Sequence, residues 1–163
     1  MSTSNKAYRR HHIYPDPESP LDAARFIANA LLLSHGIRRD TVVSVRIKDK
    51  WLTVYGDKVR HLRPDEESLE GWIKAVLKGR GSKLGVKISP EPPGVNSVAC
   101  FSGEGLDFME GLKNISPPYI LVYGLEGFQC AQLIKPPLNV KWSIIVVLVN
   151  IVLDNVEAGE VKS

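Results

Sequence analysis

Two loops in the second half of the chain have the composition of small-ligand binding loops. The first, Tyr123–Phe128, reads YGLEGF and follows an apolar run, and its two glycines let a ligand approach the backbone. Since ligands bind beyond the carboxyl ends of the strands in open α/β sheets, this loop is a candidate binding loop. The second, Lys135–Leu138, reads KPPL and lies between two apolar segments. The alternatives are an ordinary strand-to-helix turn for the first loop and a stiff connector for the second.

The sequence lacks the common motifs of phosphate binding, metal binding and nucleophilic catalysis. It contains no P-loop, dinucleotide-binding glycine motif, HExxH helix or GxSxG turn. Its 4 histidines do not cluster as ligands, and we expect no metal site. Cys100 and Cys130 form no C-x-x-C pair, so we interpret them as small buried residues rather than nucleophiles. This cysteine usage suits a reducing compartment and predicts a cytoplasmic protein.

Basic residues gather after the turn at Gly36. The chain carries 21 Lys and Arg against 18 Asp and Glu, a net charge of +3, which permits RNA as a partner without requiring it. The side chains of Arg38 and Arg39 either meet phosphates or belong to a solvated charged surface. Because adjacent side chains at a helix exit point apart, we expect Arg38 to be structural and Arg39 to be exposed. The expected partners of a structural arginine here are Asp40 and the acids of residues 65–67.

Length and composition indicate one globular domain. The 163 residues, 44% hydrophobic and 24% charged, exclude a disordered, collagen-like or coiled-coil chain. We expect a polar basic arm or a weak first strand over residues 1–18, one α/β domain over 19–156 and a polar tail over 157–163. Met1–Arg10 has no apolar core of signal-peptide length, so no secretory signal is expected.

The elements that must position these loops alternate between helix and strand. Ser19 and Pro20 begin an Ala- and Leu-rich helix that extends to Leu33. Tyr119–Tyr123 is an unbroken apolar run, as is typical of a central strand in a parallel sheet. The other predicted elements are a helix from Pro64 to Gly79, strands at Thr41–Ile47, Trp51–Tyr55, Lys83–Ser89 and Ser97–Phe101, and a short helix near Leu106–Lys113. This alternation predicts an α/β protein with a mostly parallel sheet sandwiched by helices.

The last apolar run, Trp142–Leu153, is ambiguous on local grounds. Its β-branched residues favour a strand, and periodicity does not separate a buried strand from a buried helix here. The run has about a dozen residues, whereas a membrane span needs roughly twenty. We therefore expect a buried element and no membrane association. The nearly continuous apolar surface of Ile144–Leu153 predicts a homodimer.

Two stretches of irregular composition resemble one known family. Leu31–Asp40, LLLSHGIRRD, and Val59–Leu77, VRHLRPDEESLEGWIKAVL, are similar to segments of the archaeal tRNA pseudouridine N1-methyltransferases of the SPOUT superfamily. They occur in the family's order and at about its spacing, and the resemblance covers roughly residues 21–90. It implies a SPOUT-like α/β-knot, with a deep trefoil knot at the C-terminus and the mostly parallel sheet flanked by helices. It also implies a homodimer, and it makes Trp142–Asn155 a helix buried in the knot and the dimer interface.

The same resemblance implies an activity and a set of site residues. The activity is methyl transfer from S-adenosylmethionine to a base nitrogen of RNA, with tRNA as the substrate. The family's glycine-containing strand end is similar to Tyr123 and Gly124, and its LGPL loop is similar to Lys135–Leu138. The expected cofactor-binding residues are Phe101, Tyr123, Gly124, Gly127, Pro136, Pro137, Leu138 and Ile145. Asp22, equally explained as a first-turn helix acid, is the candidate catalytic residue, and Arg25 and Arg39 are the candidate RNA contacts.

The chain departs from the family pattern at Val140–Ile145. The family has an LHADHC segment there, and this chain has no His, Asp or Cys in it. A second hypothesis is therefore a catalytically inactive SPOUT-fold protein that binds RNA or dimerises but has lost the target pocket.

Overall fold

The computed structural model describes residues 8–60, 62–79, 84–95, 98–124 and 127–162. The helices are α1 (Pro20–Leu31), α2 (Glu66–Leu77), α3 (Phe108–Lys113) and α4 (Trp142–Lys162). The strands are β1 (Arg10–Tyr14), β2 (Leu32–Leu33), β3 (Gly36–Ile37), β4 (Thr41–Ile47), β5 (Lys50–Tyr55), β6 (Val86–Ser89), β7 (Val98–Leu106), β8 (Tyr119–Tyr123) and β9 (Cys130–Ile134).

One mixed sheet contains most of the strands, in the order β6-β5-β4-β1-β8-β7-β9. The strands β4, β1, β8, β7 and β9 are parallel, and β5 and β6 pair antiparallel at one side. We call the two borders at which the parallel strands begin and end the amino edge and the carboxyl edge. The strands β2 and β3 form a separate small hairpin directly after α1. The predicted mostly parallel α/β class is confirmed.

The strand β1 is the first strand of the chain, one of the two alternatives for residues 1–18, and it lies unexpectedly in the middle of the sheet. Arg10 pairs with Thr41 of β4 on one side and with Tyr119 of β8 on the other. The sequence RHHIY has few strongly β-forming residues, and its partners lie far away in the chain. Local propensity therefore gave little indication of a buried central strand. The limits of the domain stay a prediction.

The two predicted long helices are confirmed. The Ser19 hydroxyl caps α1 by accepting from the Asp22 amide at 3.0 Å, and Pro20 takes an early position where its missing N–H costs nothing. The Asp65 carboxylate caps α2 by accepting from the Ser68 amide at 3.0 Å. The first helix ends before the predicted Leu33, because the hairpin of β2 and β3 begins there.

All the described helices flank the same face of the sheet. Each of them buries apolar residues in one core with alternate strand residues such as Tyr14, Val43 and Leu121. The opposite face carries a smaller apolar cluster that loop residues, among them Phe128, cover in part. The sheet is therefore flanked by helices as expected, but it is not sandwiched between them. Periodicity identifies a helix and does not say on which face of the sheet it packs.

The connection from β8 to β9 crosses the sheet. Both strands are parallel to β7 and lie on either side of it, so the chain returns from the carboxyl edge at Tyr123 to the amino edge at Cys130. Phe128 packs edge-on against Trp51, which places it on the face without helices. The knot that the resemblance implies stays a prediction.

Cys100 of β7 and Cys130 of β9 form a disulfide, with Cα atoms 5.6 Å apart. The interpretation of two free buried thiols is therefore wrong. Neighbouring strands bring the cysteines together, and their separation of 30 residues in the sequence gives no sign of it. The cysteines no longer support a reducing compartment, and the cytoplasmic location stays a prediction.

The last apolar run is a helix, as the resemblance implies, but it is longer than expected. The helix α4 has 21 residues and includes residues 157–162 of the expected polar tail. The window Trp142–Gly159 is long and apolar enough to cross a membrane by length and composition alone, and 33% of it is buried inside the protein. It packs against α1 and contributes Ile145, Val149 and Leu153 to the core.

Candidate functional site at the carboxyl edge of the sheet

A cavity of about 400 Å³ opens at the carboxyl edge of the sheet. It is lined by Gly103, by Lys135–Val140 between β9 and α4, and by Trp142. The Lys135 amide donates to the Leu106 carbonyl at 2.8 Å, which fixes the point where the chain leaves the sheet. Small-molecule sites have volumes of about 300–1,000 Å³ and occur in α/β proteins beyond the ends of parallel strands. The cavity therefore has the size and the position of a ligand site.

Three residues of the predicted cofactor set, Pro136, Pro137 and Leu138, line this cavity. The prolines have no N–H to donate. Among the described residues, nothing accepts a hydrogen bond from the amides of Leu138, Asn139 and Val140. A run of unpaired backbone donors beside an apolar wall suits a ligand with several acceptor atoms. Gly103 and Trp142 were not predicted, although a glycine soon after a strand and a tryptophan that begins an apolar run are both visible in the sequence.

The side chains of Phe101, Tyr123 and Ile145 lie beneath the cavity and not in its lining. All three are buried in the core that the helices share with the sheet. The Trp142 ring, which does line the cavity, lies 6.1 Å from the Phe101 ring and 5.8 Å from the Tyr123 ring, between centroids. The predicted residues therefore support the wall through Trp142. A tryptophan that packs against two buried rings, tilted to one and edge-on to the other, has little freedom to move, so this wall is preformed.

The two glycines of the first candidate loop lie at opposite edges of the sheet. Gly124 follows β8 with a φ of +127°, a conformation that favours glycine. Gly127 lines a second cavity of about 390 Å³ together with Val98 and Cys130, which begin β7 and β9. The loop was interpreted as one binding loop, and the crossing between β8 and β9 divides it. Sequence spacing does not reveal such a crossing.

The candidate catalytic residue Asp22 is a buried hydrogen-bond acceptor. Its side chain accepts from the Tyr14 hydroxyl at 2.5 Å and from the Glu18 amide at 2.9 Å, and the residue is 5% exposed. Burial, together with the bond to Asp22, raises the pKa of Tyr14. Asp22 is not among the residues that line the carboxyl-edge cavity. Its contacts join the end of β1 to the start of α1, which is a structural role.

A buried ion-pair network at the start of β1 was not predicted. Arg10, 3% exposed, donates to the Asp154 carboxylate at 2.8 Å and to the Asn150 side-chain oxygen at 2.9 Å, and Glu157 also accepts from it. Arg9 pairs with Glu157 as well. The three acceptors lie at i, i+4 and i+7 on α4, so they form one polar stripe on an apolar helix. That spacing is the sequence signal that was missed.

The same network contains a histidine that cannot gain a proton near neutral pH. His12 is fully buried, with its ring nitrogens 2.8 Å from the Tyr123 hydroxyl and 3.1 Å from the Asn150 side-chain oxygen. Burial, aided by the charge of Arg10, lowers the pKa of His12 to about 3. His12 is therefore a neutral structural residue. Separately, no group of three or more His, Cys, Asp or Glu in the described part of the chain is arranged to hold a metal ion.

The arginines after α1 separate in the predicted way, but the partner differs. Arg38 forms two hydrogen bonds of 2.9 Å with Asp154, and not with Asp40 or the acids of α2. Arg39 is exposed. Arg25 pairs with Glu66 at 2.7 Å on the protein surface. Contact of Arg25 and Arg39 with RNA stays a prediction.

Comparison with known proteins finds partial sequence similarity to several proteins of one name. No family model matches the chain. Part of it is similar to proteins named tRNA (pseudouridine(54)-N(1))-methyltransferase: it is 32% identical to that of Halorubrum lacusprofundi over 72 residues, 44% of this chain and 35% of the relative. The Haloarcula marismortui protein is 34% identical over 73 residues, 44% and 37% of the two chains, and the Halobacterium salinarum protein is 29% identical over 99 residues, 53% and 50%. The chain thus spans about a third to a half of the length of these relatives.

The fold is also similar to that of a solved structure. The structure is Archaeoglobus fulgidus Nep1 bound to S-adenosylhomocysteine, with a TM-score of 0.58 and 12% identity. The match covers 83% of this chain and 69% of Nep1. At this identity the likeness concerns the fold alone.

Proposed function

We propose that this protein is an S-adenosylmethionine-dependent RNA methyltransferase that modifies N1 of a pseudouridine in tRNA. The observation that carries the proposal is the carboxyl-edge cavity, because its lining includes the loop Lys135–Leu138, which the family resemblance had singled out for the cofactor. The named relatives and the Nep1 fold support the same reaction class. We further expect a homodimer in the cytoplasm of an archaeal cell.

The residues of the cavity fit an adenosine-containing cofactor. The unpaired amides of Leu138, Asn139 and Val140 would donate to its acceptor atoms, and the Trp142 ring would pack against its apolar parts. The ammonium of Lys135, the one titratable side chain among the lining residues, would pair with an anionic group such as a carboxylate. When bound, S-adenosylmethionine would supply a methyl group on a positively charged sulfur.

The chain's own contribution to the reaction would be orientation. The loop Lys135–Val140 and Trp142 form walls that would hold the two reactants in line. The N1 proton of the base must leave as the new bond forms. The lining offers no carboxylate or imidazole to accept it, so we expect the proton to pass to water.

A substitution at Gly103 tests the cofactor site without straining the fold. A Cβ at this residue would meet no atom within 4 Å, so Gly103→Val should fill part of the cavity and leave the protein folded. We expect isothermal titration with S-adenosylmethionine to give heat for the unchanged protein and at least tenfold weaker binding for Gly103→Val. The matched control is Gly94→Val, an exposed glycine with equal free space outside this cavity. Equal binding by all three proteins would refute the assigned cavity.

The catalytic proposal has its own assay. Labelled methyl groups should transfer to a tRNA that carries pseudouridine and not to the same tRNA with uridine in its place. The inactive alternative has one specific observation in its favour, since Val140–Ile145 has no polar side chain except Lys141 and Ser143. RNA binding without heat from the cofactor and without transfer would favour that alternative.

A further inference from the structure

A cavity of about 290 Å³ lies on the sheet face that the helices leave uncovered. Its polar floor is a chain of hydrogen bonds across two strands: His11 Nε2 lies 2.8 Å from the Ser44 hydroxyl, which lies 2.9 Å from the Thr53 hydroxyl. The lining also includes Val42, Lys87, Ser89, the loop Glu91–Val95 and the two tyrosines Tyr8 and Tyr55. The volume is close to the lower limit of small-molecule pockets, about 300 Å³. A single nucleoside is therefore about the largest group that it holds.

The imidazole of His11 is a neutral hydrogen-bonding group at the bottom of this cavity. Burial lowers the pKa of His11 to about 4, so the ring carries no charge at neutral pH. Nε2 is engaged with Ser44, and no described residue bonds to Nδ1. One polar atom thus remains for a ligand. A neutral donor or acceptor suits the edge of a base or a ribose hydroxyl better than it suits an ion.

Two tyrosine rings line this cavity, and a lysine lies beside one of them. The rings of Tyr8 and Tyr55 lie 5.6 Å apart, and the Tyr8 hydroxyl donates to Asp57 at 2.7 Å, which holds its ring in place and engages that carboxylate. The Lys58 ammonium lies 5.5 Å from the Tyr55 centroid. Rings beside positive charge are how proteins bind single-stranded nucleic acid, because each base can stack and each phosphate can pair.

A second cavity, of about 580 Å³, lies on the other side of the Tyr55–Lys58 turn. Arg39, Arg60 and His35 line it, together with Gly56 and Asp57 of the turn. Both arginines are exposed, and no carboxylate of the described residues forms an ion pair with either of them. Two unpaired guanidinium groups in a concave site favour a phosphate.

We propose that a single-stranded RNA segment crosses the Tyr55–Lys58 turn, with one base in the sheet-face cavity and adjacent phosphates at Arg39 and Arg60. The inference rests on the proposed function only for the choice of RNA as the polymer. The turn follows β5, whose end pairs with the start of β4, so the site lies at the amino edge. It would hold RNA at the sheet edge opposite the carboxyl-edge cavity and therefore away from the methylated nucleotide.

The test is fluorescence anisotropy of a labelled single-stranded RNA octamer at two salt concentrations. Each arginine that contacts a phosphate should reduce the log–log salt slope by roughly 0.7 when it is replaced by alanine. We expect Arg39→Ala/Arg60→Ala to lose roughly tenfold in affinity and about 1.4 in slope. We expect Tyr55→Leu to lose roughly tenfold in affinity with an unchanged slope. The matched charge control is Lys74→Ala on the exposed side of α2, which should bind like the unchanged protein.

Two results would overturn the proposal. One is a double arginine variant that binds RNA with the affinity and slope of Lys74→Ala. The other is equal competition by a DNA octamer together with full RNA affinity of Tyr55→Leu, which would indicate a general charged surface. Because Tyr55→Leu can weaken folding, Lys87→Ala at an exposed position provides a second variant for the same cavity, with a loss of affinity expected. Calorimetry with S-adenosylmethionine on the same variants separates the two proposals. If the protein binds RNA as expected but gives no heat with S-adenosylmethionine, the proposed methyltransferase function is refuted and the proposed RNA site is not.

Discussion

His11 and His12 are adjacent in the sequence and lie in opposite environments. Successive strand residues face opposite sides of a sheet, so His12 enters the core under the helices while His11 faces the uncovered side. The sequence indicated only that the histidines do not cluster as ligands, and the nearness of this pair to the N-terminus gave no sign that β1 is central. Both rings are neutral at pH 7 in the folded protein, and below about pH 6.5 both take up a proton when the chain unfolds.

These two histidines predict a loss of stability on mild acidification. Their pKa values in the folded protein are about 4 and about 3, below the value of about 6.5 in an unfolded chain. The unfolded state therefore binds protons first, and stability falls as the pH falls through 6.5 toward the folded values. Between pH 7.5 and 5.0 the free energy of unfolding should drop by about 2 kcal/mol for each histidine. Urea denaturation at both pH values measures it.

Substitution of a histidine tests whether it causes the fall in the free energy of unfolding between pH 7.5 and 5.0. His12→Gln keeps hydrogen-bonding capacity and cannot titrate, so its loss between the two pH values should be about 2 kcal/mol smaller. The exposed His35 serves as the control, and His35→Gln should leave the pH dependence unchanged. An unchanged pH dependence of His12→Gln would mean that His12 is not buried in solution.

The substitution Asp22→Asn distinguishes a structural role of this carboxylate from a catalytic one. In Asp22→Asn, the Tyr14 hydroxyl and the Glu18 amide lose a charged acceptor, and we expect a loss of about 1–3 kcal/mol in the free energy of unfolding. Methyl transfer by the folded variant should stay within about twofold of the unchanged protein, since Asp22 does not line the carboxyl-edge cavity. A large loss of transfer with normal stability would restore the catalytic role. Denaturation and transfer assays on the same preparation decide it.

Among the secondary-structure elements, those determined by neighbouring residues could be predicted from the sequence. The Ser19 cap, the stripe of α2 and the apolar run of β8 could be read from a few neighbouring residues each. The place of β1, the β8–β9 crossing and the disulfide depend on partners far away in the chain, and no local pattern encodes them. The candidate site shows the same contrast between local and distant determinants. Pro136–Leu138 could be predicted as a loop between two elements. Gly127 was wrongly grouped with Gly124, because no local pattern reveals the crossing between β8 and β9.

The ion pairs that hold α4 on β1 should differ in strength. Arg10 is buried, and its replacement by alanine leaves several polar groups of α4 without their partner, for which we expect a loss of roughly 3–5 kcal/mol. Arg38 lies nearer the surface, and its bidentate pair with Asp154 should be worth less, roughly 1.5–3 kcal/mol. The exposed Arg63 is the control, with an expected change within about 0.5 kcal/mol. Urea denaturation ranks the three variants, and an equal cost of Arg10→Ala and Arg63→Ala would contradict the network.

For the molecule as a whole, the notable feature is an outer apolar surface of α4 that the described chain covers only in part. Ile144 and Ile151 are 47% and 49% exposed, and Val147 and Leu148 between them are half-buried. These residues lie on one side of the helix, at the spacing of a packing stripe. A second copy of the chain is the partner that we propose, and the length of the helix makes a membrane the competing one.

The homodimer predicts twice the chain mass of 18.1 kDa in sedimentation at micromolar concentration. Ile144→Glu/Ile151→Glu should produce a folded monomer, because both side chains are already exposed in the single chain. Met109→Glu places the same charge at an exposed apolar position of α3 and should stay dimeric. If the unchanged protein is a monomer and floats with phosphatidylcholine vesicles in a density gradient, the exposed surface of α4 contacts a membrane and the homodimer is refuted.

The network between β1 and α4 also has a consequence for synthesis on the ribosome. Arg10 leaves the ribosome before its partners Asn150 and Asp154, which follow 140 and 144 residues later. Its second neighbouring strand, β8, also belongs to the last third of the chain. Until then the strand that becomes the centre of the sheet can pair only with β4 and carries an uncompensated charge. The middle of the sheet must therefore remain open until β8 and α4 have been made.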